Sequence, residues 1–393
     1  MKHPEAFATI ATSGSKDSAA AEAALAGDLK KALQGKRPSV ILLFATSEHA
    51  AAFSGMAERL GRAFDGVPVV GGSTTGISSR HGESADEPAI GALAVCGITA
   101  DSFLAPDLTH HSLDIGRRLG QSFAATPSVG KLLLLMPDSY VGSFEPLIRA
   151  LTSCYGPHPL VGGAPSEKGL GRTFQWGPTA SDRDKTRAIS GGLSGVFLSG
   201  EFDTLITVAQ GCSPVGAPLT VTEATGNVVI SLDNKPALEA FISRLPGPLK
   251  GDLPRAMSSV LFAIDTGEGM LTRHVIALEA DSQGLVFGEP IAEGTKVRLA
   301  IRDAVSARDD MKRELEALKT KVAGRRIICG VYFTCSSRGP SLYGMRDIDT
   351  SYIDGALGNF PWIGMETSAE IAQLGGALHV FAYTGVLALI VER

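Results

Sequence analysis

Short apolar runs alternate along this chain with segments whose apolar residues recur at helical spacing. The run VILLFATSE is followed by EHAAAFSGMAERLGRAF, and the next apolar run is VPVVGGS. Apolar runs of this length predict buried strands, and longer amphipathic segments predict helices. Strands and helices that alternate in this way are typical of an α/β fold.

The same succession of elements returns further along the chain. KLLLLMPDS resembles the first run and HPLVGGA resembles VPVVGGS, so that Pro68 and Pro159 lie 91 residues apart, as do Leu42 and Leu133. A weaker third copy begins with CGVYFTCSS at Cys329 and continues through FPWIGMETSAE to HVFAYTGVLALI. Any α/β protein has apolar runs at similar spacing, but unrelated runs do not explain the constant offset of 91 residues. We therefore predict repeated units of strand, helix, strand, turn and strand, with the glycine pair at the turn.

A different pattern separates the second copy from the third. DTLITVAQGCSPVGAPLTVTEATGNVVISL predicts strands, because it is rich in Val, Ile and Thr and is broken by turn residues. TKVRLAIRDAVSARDDMKRELEALKTKV predicts a strand that leads into a long helix. We predict an α/β protein of two domains with mixed β-sheets. The domains span residues 30–230, which hold the first two copies, and residues 231–393, while residues 1–29 form an N-terminal extension.

Composition and charge exclude several classes of protein. Hydrophobic residues make up 44% of the 393 residues, charged residues make up 20%, and the net charge is −5, a balance that argues against a nucleic-acid-binding surface. The five cysteines are scattered and form no CxxC pair, which favours a reducing compartment. The N-terminus has no apolar signal region, and no apolar run is long enough to span a bilayer. We therefore expect a cytoplasmic protein with no membrane insertion.

Several segments resemble one known family. GCSPVGAPLTVTEATGNVVISLDNKPALEAF is similar to the stretch that joins the two halves of FIST sensory proteins, and VRLAIRDAVSARDD is similar to the family's strand and helix start. CGVYFTCSSRGPSLYG resembles its Cys-x-x-Arg-Gly segment, and METSAEIAQLGG resembles its Glu-Ile-x-x-x-Gly-Gly segment. The chain departs from the family pattern at Ser337 and at Ala369. The resemblance covers about residues 30 to 390 and implies a FIST N and a FIST C domain.

The resemblance implies an intracellular sensor rather than an enzyme. Amino acids or related carboxylates are the implied ligands, and some members of the family are implied to bind haem and to regulate a histidine kinase in response to nitric oxide. No residues remain here for an output domain, so we expect signalling through a separate partner such as a histidine kinase. Occupancy would be reported by a shift between two conformations that bind the ligand differently.

Polar clusters after the predicted strands contain the candidate ligand contacts. Ser73, Thr74 and Thr75 follow the first glycine pair, where neither a phosphate-loop motif nor a nucleophile elbow is present. Hydroxyls and free backbone N–H groups there could bind a carboxylate, or could simply satisfy a tight turn. We predict ligand contact at these three positions.

The third copy supplies the remaining candidates. They are Cys335, Ser336, Arg338, Glu366, Thr367 and Glu370. Arg338 can hold a carboxylate through two hydrogen bonds, and an acid beside it could hold the amino group of an amino acid. The alternative is that the arginine and an acid form a structural ion pair.

Haem binding and catalysis are the alternatives to a metabolite sensor. Haem needs one axial histidine in an apolar pocket, and His110, His111, His158 and His379 are the candidates. No HExxH motif and no His/Cys pair at zinc spacing is present, so we expect no metal site. A Cys335 nucleophile in a hydrolase would need a base, and His379 is the candidate in the same copy. It lies in a predicted strand, where a lone histidine is more often packed in the core, so we expect no catalytic residues.

Overall fold

The computed structural model describes residues 5–179, 182–265, 270–374 and 376–393. Its strands are β1 (Phe7–Ser13), β2 (Val40–Thr46), β3 (Val69–Thr74), β4 (Gly76–Ser79), β5 (Gly82–Ala85), β6 (Ile90–Cys96), β7 (Thr99–Ala105), β8 (Gly130–Pro137), β9 (Leu160–Pro165), β10 (Gln175–Thr179), β11 (Asp182–Ile189), β12 (Leu193–Gly200), β13 (Phe202–Gln210), β14 (Cys212–Thr225), β15 (Val228–Leu232), β16 (Lys235–Pro236), β17 (Val260–Asp265), β18 (Met270–Glu279), β19 (Gly284–Phe287), β20 (Lys296–Arg302), β21 (Ile327–Cys335), β22 (Trp362–Leu374), β23 (Ala377–Phe381) and β24 (Thr384–Glu392). Its α-helices are α1 (Ser18–Leu33), α2 (Phe53–Arg62), α3 (Leu108–Ala124), α4 (Glu145–Tyr155), α5 (Ala237–Arg244), α6 (Leu253–Ser259), α7 (Ala304–Val322), α8 (Pro340–Tyr343) and α9 (Ile348–Leu357).

These elements belong to two compact units. The first comprises the residues up to Ala209 together with Met311–Arg393, and the second comprises Gln210–Asp310. The predicted α/β class with mixed sheets is confirmed, since the first unit combines parallel and antiparallel pairs with helices. Residues 1–29, which the sequence analysis sets apart as an extension, contribute β1 and much of α1, and β1 pairs with β6. The division at residue 230 stays a prediction about the two family domains.

Three segments of the first unit pair their strands in one order. β2 lies between β3, which runs parallel to it, and β6, which runs antiparallel. β8 lies in the same way between β9 and β12, and β21 lies between β22 and β24. A parallel pair needs a crossover connection, and helices α2, α4 and α9 lie in these three connections.

The three segments are also joined to one another. β3 pairs with β10, β9 pairs with the later part of β22, and the earlier part of β22 pairs with β4. The ends of β3 and β9 thereby come close to Glu366, which lies within β22. Hydrogen bonds connect the three segments there: Ser73 Oγ donates to the Ser166 carbonyl at 3.1 Å, and Ser166 Oγ donates to the Glu366 carbonyl at 2.6 Å.

The glycine pairs lie inside strands. The sequence places a turn at Gly71 and Gly72, but β3 continues through both residues. A Cβ atom at Gly71 would come within 1.8 Å of the Leu43 carbonyl oxygen on β2, and one at Gly162 would come within 2.2 Å of the Leu135 oxygen on β8. Glycine is therefore required because two parallel strands approach closely, and not because the chain turns.

Helices cover the strands of this unit in pairs. The buried residues of α1 recur every fourth position, as Ala21, Leu25, Leu29 and Leu33, and therefore form one apolar face. That face packs with α2 against β2 in one hydrophobic core, and α3 and α4 form a second core over β8. Because β2 and β8 are buried along their whole length, their sequences are apolar except near one end of each, at Thr46 and Lys131.

The second unit contains an antiparallel sheet of its own. Its strands follow the order β14, β20, β17, β18, β19 and β15, and a further pairing of β15 with β14 closes that order. Phe241, Phe262 and Phe287 pack together in its core. No candidate ligand contact from the sequence analysis lies in this unit. No helix of the described chain is both long and apolar enough to cross a membrane.

Candidate functional site

A cavity of about 420 Å³ opens in the first unit where β3 and β21 end, beside Glu366 of β22. Its lining includes Thr75, Asp86, Ser336, Arg338, Met345 and Glu366, and we call it the central cavity. Four of the nine predicted ligand contacts lie on it, namely Thr75, Ser336, Arg338 and Glu366. The structure thus brings the polar cluster of the first copy together with both clusters of the third.

Arg338 lies in the wall of the central cavity and is only 2% exposed. Its Nε and Nη2 atoms donate to the two carboxylate oxygens of Asp349, at 2.9 and 3.0 Å, and Nη2 also donates to the Tyr343 hydroxyl at 2.6 Å. Burial would raise the pKa of Asp349, but the charge and hydrogen bonds of Arg338 outweigh it and lower that pKa. The remaining nitrogen, Nη1, is buried and has no hydrogen-bond partner among the described residues.

The local sequence explains how Arg338 comes to face α9. After β21 the backbone N–H of Arg338 donates to the Cys335 carbonyl at 2.8 Å, which starts a turn. Pro340 then occupies the first position of α8, where its missing N–H costs nothing. Gly344 ends α8 at φ 72°, a left-handed conformation that glycine adopts without strain. The segment therefore folds back on itself and carries Arg338 to Asp349.

Glu366 is the second buried charged group of the central cavity. Thr75 Oγ1 donates to its Oε2 at 2.7 Å, and within the described chain no other group donates to this carboxyl group. Burial raises the pKa of Glu366 to about 7; the Thr75 hydrogen bond opposes this shift, and the charges of Glu83 and Asp86 add to it. At neutral pH the group is therefore present in both its acid and its carboxylate form.

Glu370 lies on the same strand but is satisfied internally. Thr367 Oγ1 donates to its Oε1 at 2.7 Å, and the backbone N and Oγ1 of Thr384 donate to its Oε2 at 3.1 and 2.8 Å. Burial raises the pKa of Glu370 to about 7. Thr367 Oγ1 also lies 3.0 Å from the Thr334 carbonyl oxygen, so a protonated Glu370 can donate to Thr367 while Thr367 donates to Thr334.

The variant Glu370→Gln is expected to remove part of the pH dependence of stability. With a pKa near 7 instead of the ordinary 4.5, the native state binds more protons than the unfolded state between these values, so stability falls as pH rises through that window. At about 1.4 kcal/mol per pKa unit, Glu370 accounts for about 3 kcal/mol of that loss. Urea unfolding of both proteins at about pH 5 and pH 8 measures the difference. An unchanged pH dependence in the variant would contradict the assignment.

The other predicted hydroxyls tie the strand ends together. Ser73 Oγ donates to the Ser166 carbonyl, and Thr74 Oγ1 lies within hydrogen-bond distance of the Glu366 carbonyl, at 2.8 Å. Thr367 and Glu370 bond to each other. Among the predicted residues of the first copy, only Thr75 lines the central cavity.

Cys335 lines a void of about 10 Å³ beside the central cavity, which is room for about one water molecule. Burial raises the pKa of this thiol to about 12, and the negative charge of Glu370 adds to the shift. A thiol of this kind stays protonated at neutral pH and is a poor nucleophile. No histidine of the described residues lines the void.

Two residues that matter for this site are absent from the sequence-based set. Ser166 accepts a hydrogen bond from the Thr75 backbone N–H at 2.9 Å and belongs to the second copy, where Ala164 and Pro165 follow the glycine pair in place of hydroxyl residues. The 91-residue offset pairs Ser166 with Thr75 and could have identified it. Asp349 is the carboxylate that binds Arg338, and its position near the start of a helix eleven residues later gives no comparable signal.

The histidines named for haem do not surround the central cavity. His110 and His111 lie on α3 beside Asp107, and their side chains are 75% and 59% exposed. His158 lies beside a lysine ammonium, and burial lowers its pKa. His379 lies on β23. None of the four lines the central cavity, so they do not fit a haem bound there. Over the described residues, no three His, Cys, Asp or Glu side chains are grouped to hold a metal ion.

Comparison with known proteins gives matches along almost the whole chain. The sequence matches the FIST N domain over residues 39–235 and the FIST C domain over residues 237–373. An uncharacterised protein of Mycobacterium tuberculosis is 27% identical over 389 residues, which cover 95% of this chain and 96% of that protein. An uncharacterised protein of Mycobacterium bovis is 27% identical over 399 residues, with 98% of both chains covered.

Proposed function

Because this chain belongs to the FIST family, whose domains imply a role in sensing and signalling, we propose that it binds a small amino acid or related carboxylate in the central cavity. Occupancy is relayed to a separate signalling protein, for which a histidine kinase is the candidate that the family suggests. The proposal involves neither a catalytic step nor a cofactor. A reducing, cytoplasmic location is proposed with it, in keeping with the free cysteines of the described chain.

One observation carries this proposal: Arg338 and Glu366 line the same cavity, and each has hydrogen-bonding capacity that no described residue uses. Arg338 Nη1 is buried without a partner among the described residues, and Glu366 receives one hydrogen bond although a carboxylate can accept about four. A buried polar group left unsatisfied costs about 1–3 kcal/mol. A ligand with a carboxylate for Arg338 and an ammonium group for Glu366 satisfies both groups at once.

Charge balance favours the same ligand. Asp349 neutralises Arg338 through two hydrogen bonds, so the pair carries no net charge. The ionised form of Glu366 leaves one negative charge in the wall, while Asp86 near the rim is paired with Lys168 at 2.9 Å. A dicarboxylate would therefore add like charges to the cavity, whereas the ammonium group of an amino acid compensates the charge of Glu366.

The shape of the cavity sets limits on the rest of the ligand. Its volume of about 420 Å³ lies within the range of about 300–1,000 Å³ that is common for small-molecule sites. Ala85, Pro340 and Met345 provide an apolar part of the wall. We propose that an apolar or uncharged side chain packs against these three residues.

Ligand binding can be reported because two chain segments from distant parts of the sequence form the wall. The loop after β5 and the segment after α8 are joined by an ion pair between Arg346 and Glu87 at 2.8 Å and by a hydrogen bond from the Asp347 backbone N–H to Glu83 at 3.0 Å. A ligand that contacts both segments stabilises the conformation in which they are close. A signalling partner that distinguishes this conformation reads the occupancy.

A thermal-shift screen with the twenty L-amino acids tests the proposal. At least one at millimolar concentration is expected to raise the melting temperature, because a ligand that binds only the native state stabilises it. The variant Ser336→Ala is expected to weaken that binding about fivefold, the value of about one hydrogen bond. Ser153→Ala on α4, which removes a hydroxyl bonded to the Ala150 carbonyl, serves as the control. No stabilisation by any of the twenty would contradict the proposed function.

A further inference from the structure

Strand β22 carries two buried carboxyl groups, of which only one is available to a ligand. Glu370 is bonded by Thr367 and twice by Thr384, and it lines neither cavity described above. Glu366 has a single donor, Thr75, and lines both the central cavity and the small void beside it. The two carboxyl groups lie four residues apart, and Glu366 is the one that can still accept hydrogen bonds from a ligand.

The groups that face Glu366 create a negative environment. They are Glu83 and Asp86 from the β5 side, Tyr332 and Cys335 from β21, Arg338 and Arg346 from the chain after it, and Asp349 from α9. The positive charges are compensated, because Arg338 is paired with Asp349 and Arg346 with Glu87. The Cys335 thiol is neutral and Asp86 is itself paired with Lys168 at 2.9 Å, so Glu83, with a smaller contribution from Asp86, decides the sign of the local field. This field favours a cation beside Glu366.

Burial acts against the ionised carboxylate when no cation is present. A carboxyl group that is short of hydrogen-bond donors loses hydration when it is buried and gains little in return, so it takes up a proton. The pKa of Glu366, raised by burial to about 7, agrees with this argument. The Thr75 hydroxyl is the one donor that opposes the uptake.

From this geometry we infer that the amino group of the ligand displaces the proton of Glu366, so that Glu366 selects ligands with an amino group and binding is controlled by pH. The carboxyl O–H bond breaks, the proton goes to solvent, and the resulting carboxylate accepts hydrogen bonds from the ligand's ammonium group. No bond of the ligand changes. The inference rests on the proposed function of the central cavity and adds the proton exchange at Glu366 that makes binding selective and dependent on pH.

The pH dependence follows from the proton balance. The amino group of a free amino acid stays protonated well above neutral pH, so Glu366 is the group that titrates. Below the pKa of Glu366 each binding event releases close to one proton, and affinity rises about tenfold per pH unit. Above that pKa the carboxylate is already ionised, and affinity levels off. A carboxylic acid without an amino group is expected to show the opposite trend, because it is repelled by the ionised form.

Isothermal titration calorimetry of the full chain tests this inference, with whichever of the twenty L-amino acids stabilises the protein most. Affinity is expected to rise about eightfold from about pH 5.5 to 6.5 and less than twofold from about pH 7.5 to 8.5. Titrations near pH 6 in buffers with different ionisation enthalpies count the released protons. Binding without proton release would overturn the inference and leave the proposed function standing. If none of the twenty binds, both fail.

Three variants separate the role of Glu366 from a structural effect. Glu366→Gln is expected to bind more weakly at about pH 8 and to lose both the pH dependence and the proton release. Glu370→Gln, whose carboxyl group lies outside the central cavity, is expected to keep both. Asp86→Asn removes a nearby negative charge and is expected to move the midpoint of the profile to lower pH. A wild-type pH profile in Glu366→Gln would overturn the inference.

Discussion

Replacing Asp349 with alanine is expected to lower the free energy of unfolding by about 3–5 kcal/mol. The side chain of Arg338 is 1% exposed. Its guanidinium group depends on Asp349 for two hydrogen bonds and for charge compensation. The hydroxyls of Tyr332 and Tyr343 also donate to this carboxylate, both at 2.8 Å. The alanine variant therefore leaves a buried cation and two buried hydroxyls without their partner. Urea unfolding at neutral pH measures the loss.

Two comparisons show whether the unpaired charge is the cause. The double variant Arg338→Met with Asp349→Leu removes both charges and is expected to lose less stability than Asp349→Ala, because no ion stays buried without a partner. Glu58→Ala breaks an exposed pair with Arg62, whose side chain is 71% exposed, and is expected to cost about 0.5 kcal/mol or less. A loss for Asp349→Ala as small as that for Glu58→Ala would refute the argument.

The sequence identified the cation of the site and the alternative of a structural ion pair, but it did not identify the acid of that pair. Glu366 and Glu370 were the acids that the sequence placed near Arg338, since both clusters follow predicted strands of the third copy. The structure pairs Arg338 with Asp349, and this pairing leaves Glu366 with Thr75 alone. The choice depends on where α9 begins relative to β21, and no local pattern encodes that distance. The arginine and the glutamate nevertheless line one cavity, as the ligand hypothesis requires.

Strands that are buried on both faces were the most predictable part of the fold. β2 and β8 are apolar runs, and their constant offset in the sequence corresponds to the same pairing with neighbours in the structure. The pairings of β3 with β10 and of β9 with β22 were not predictable, because they join residues far apart in the sequence and involve short, mixed runs. Those pairings position Thr75, Ser166 and Glu366 at one point, so the site depends on the least local part of the fold.

The second large effect on stability is expected at Gly162, which corresponds to Gly71 of the first copy and Gly364 of the third. Gly162→Ala is expected to destabilise the protein by about 3 kcal/mol or more, because the new Cβ would lie 2.2 Å from the Leu135 carbonyl oxygen. Relief requires β8 and β9 to separate, and these strands run parallel and hydrogen-bonded at this point. Backbone atoms in the middle of a sheet cannot rotate away as a flexible side chain can. Urea unfolding, together with the yield of soluble protein, measures the effect.

Gly27→Ala is the control, since it makes the same chemical change where space is available. Gly27 lies in the interior of α1, and a Cβ there would meet nothing within 4 Å. Alanine is expected to stabilise this helix by up to about 1 kcal/mol, because it costs less backbone entropy on folding than glycine. The two variants are therefore expected to change stability in opposite directions. If Gly162→Ala were as stable as the wild type, close approach of the strands could not explain the glycine, and the copies would share it for another reason.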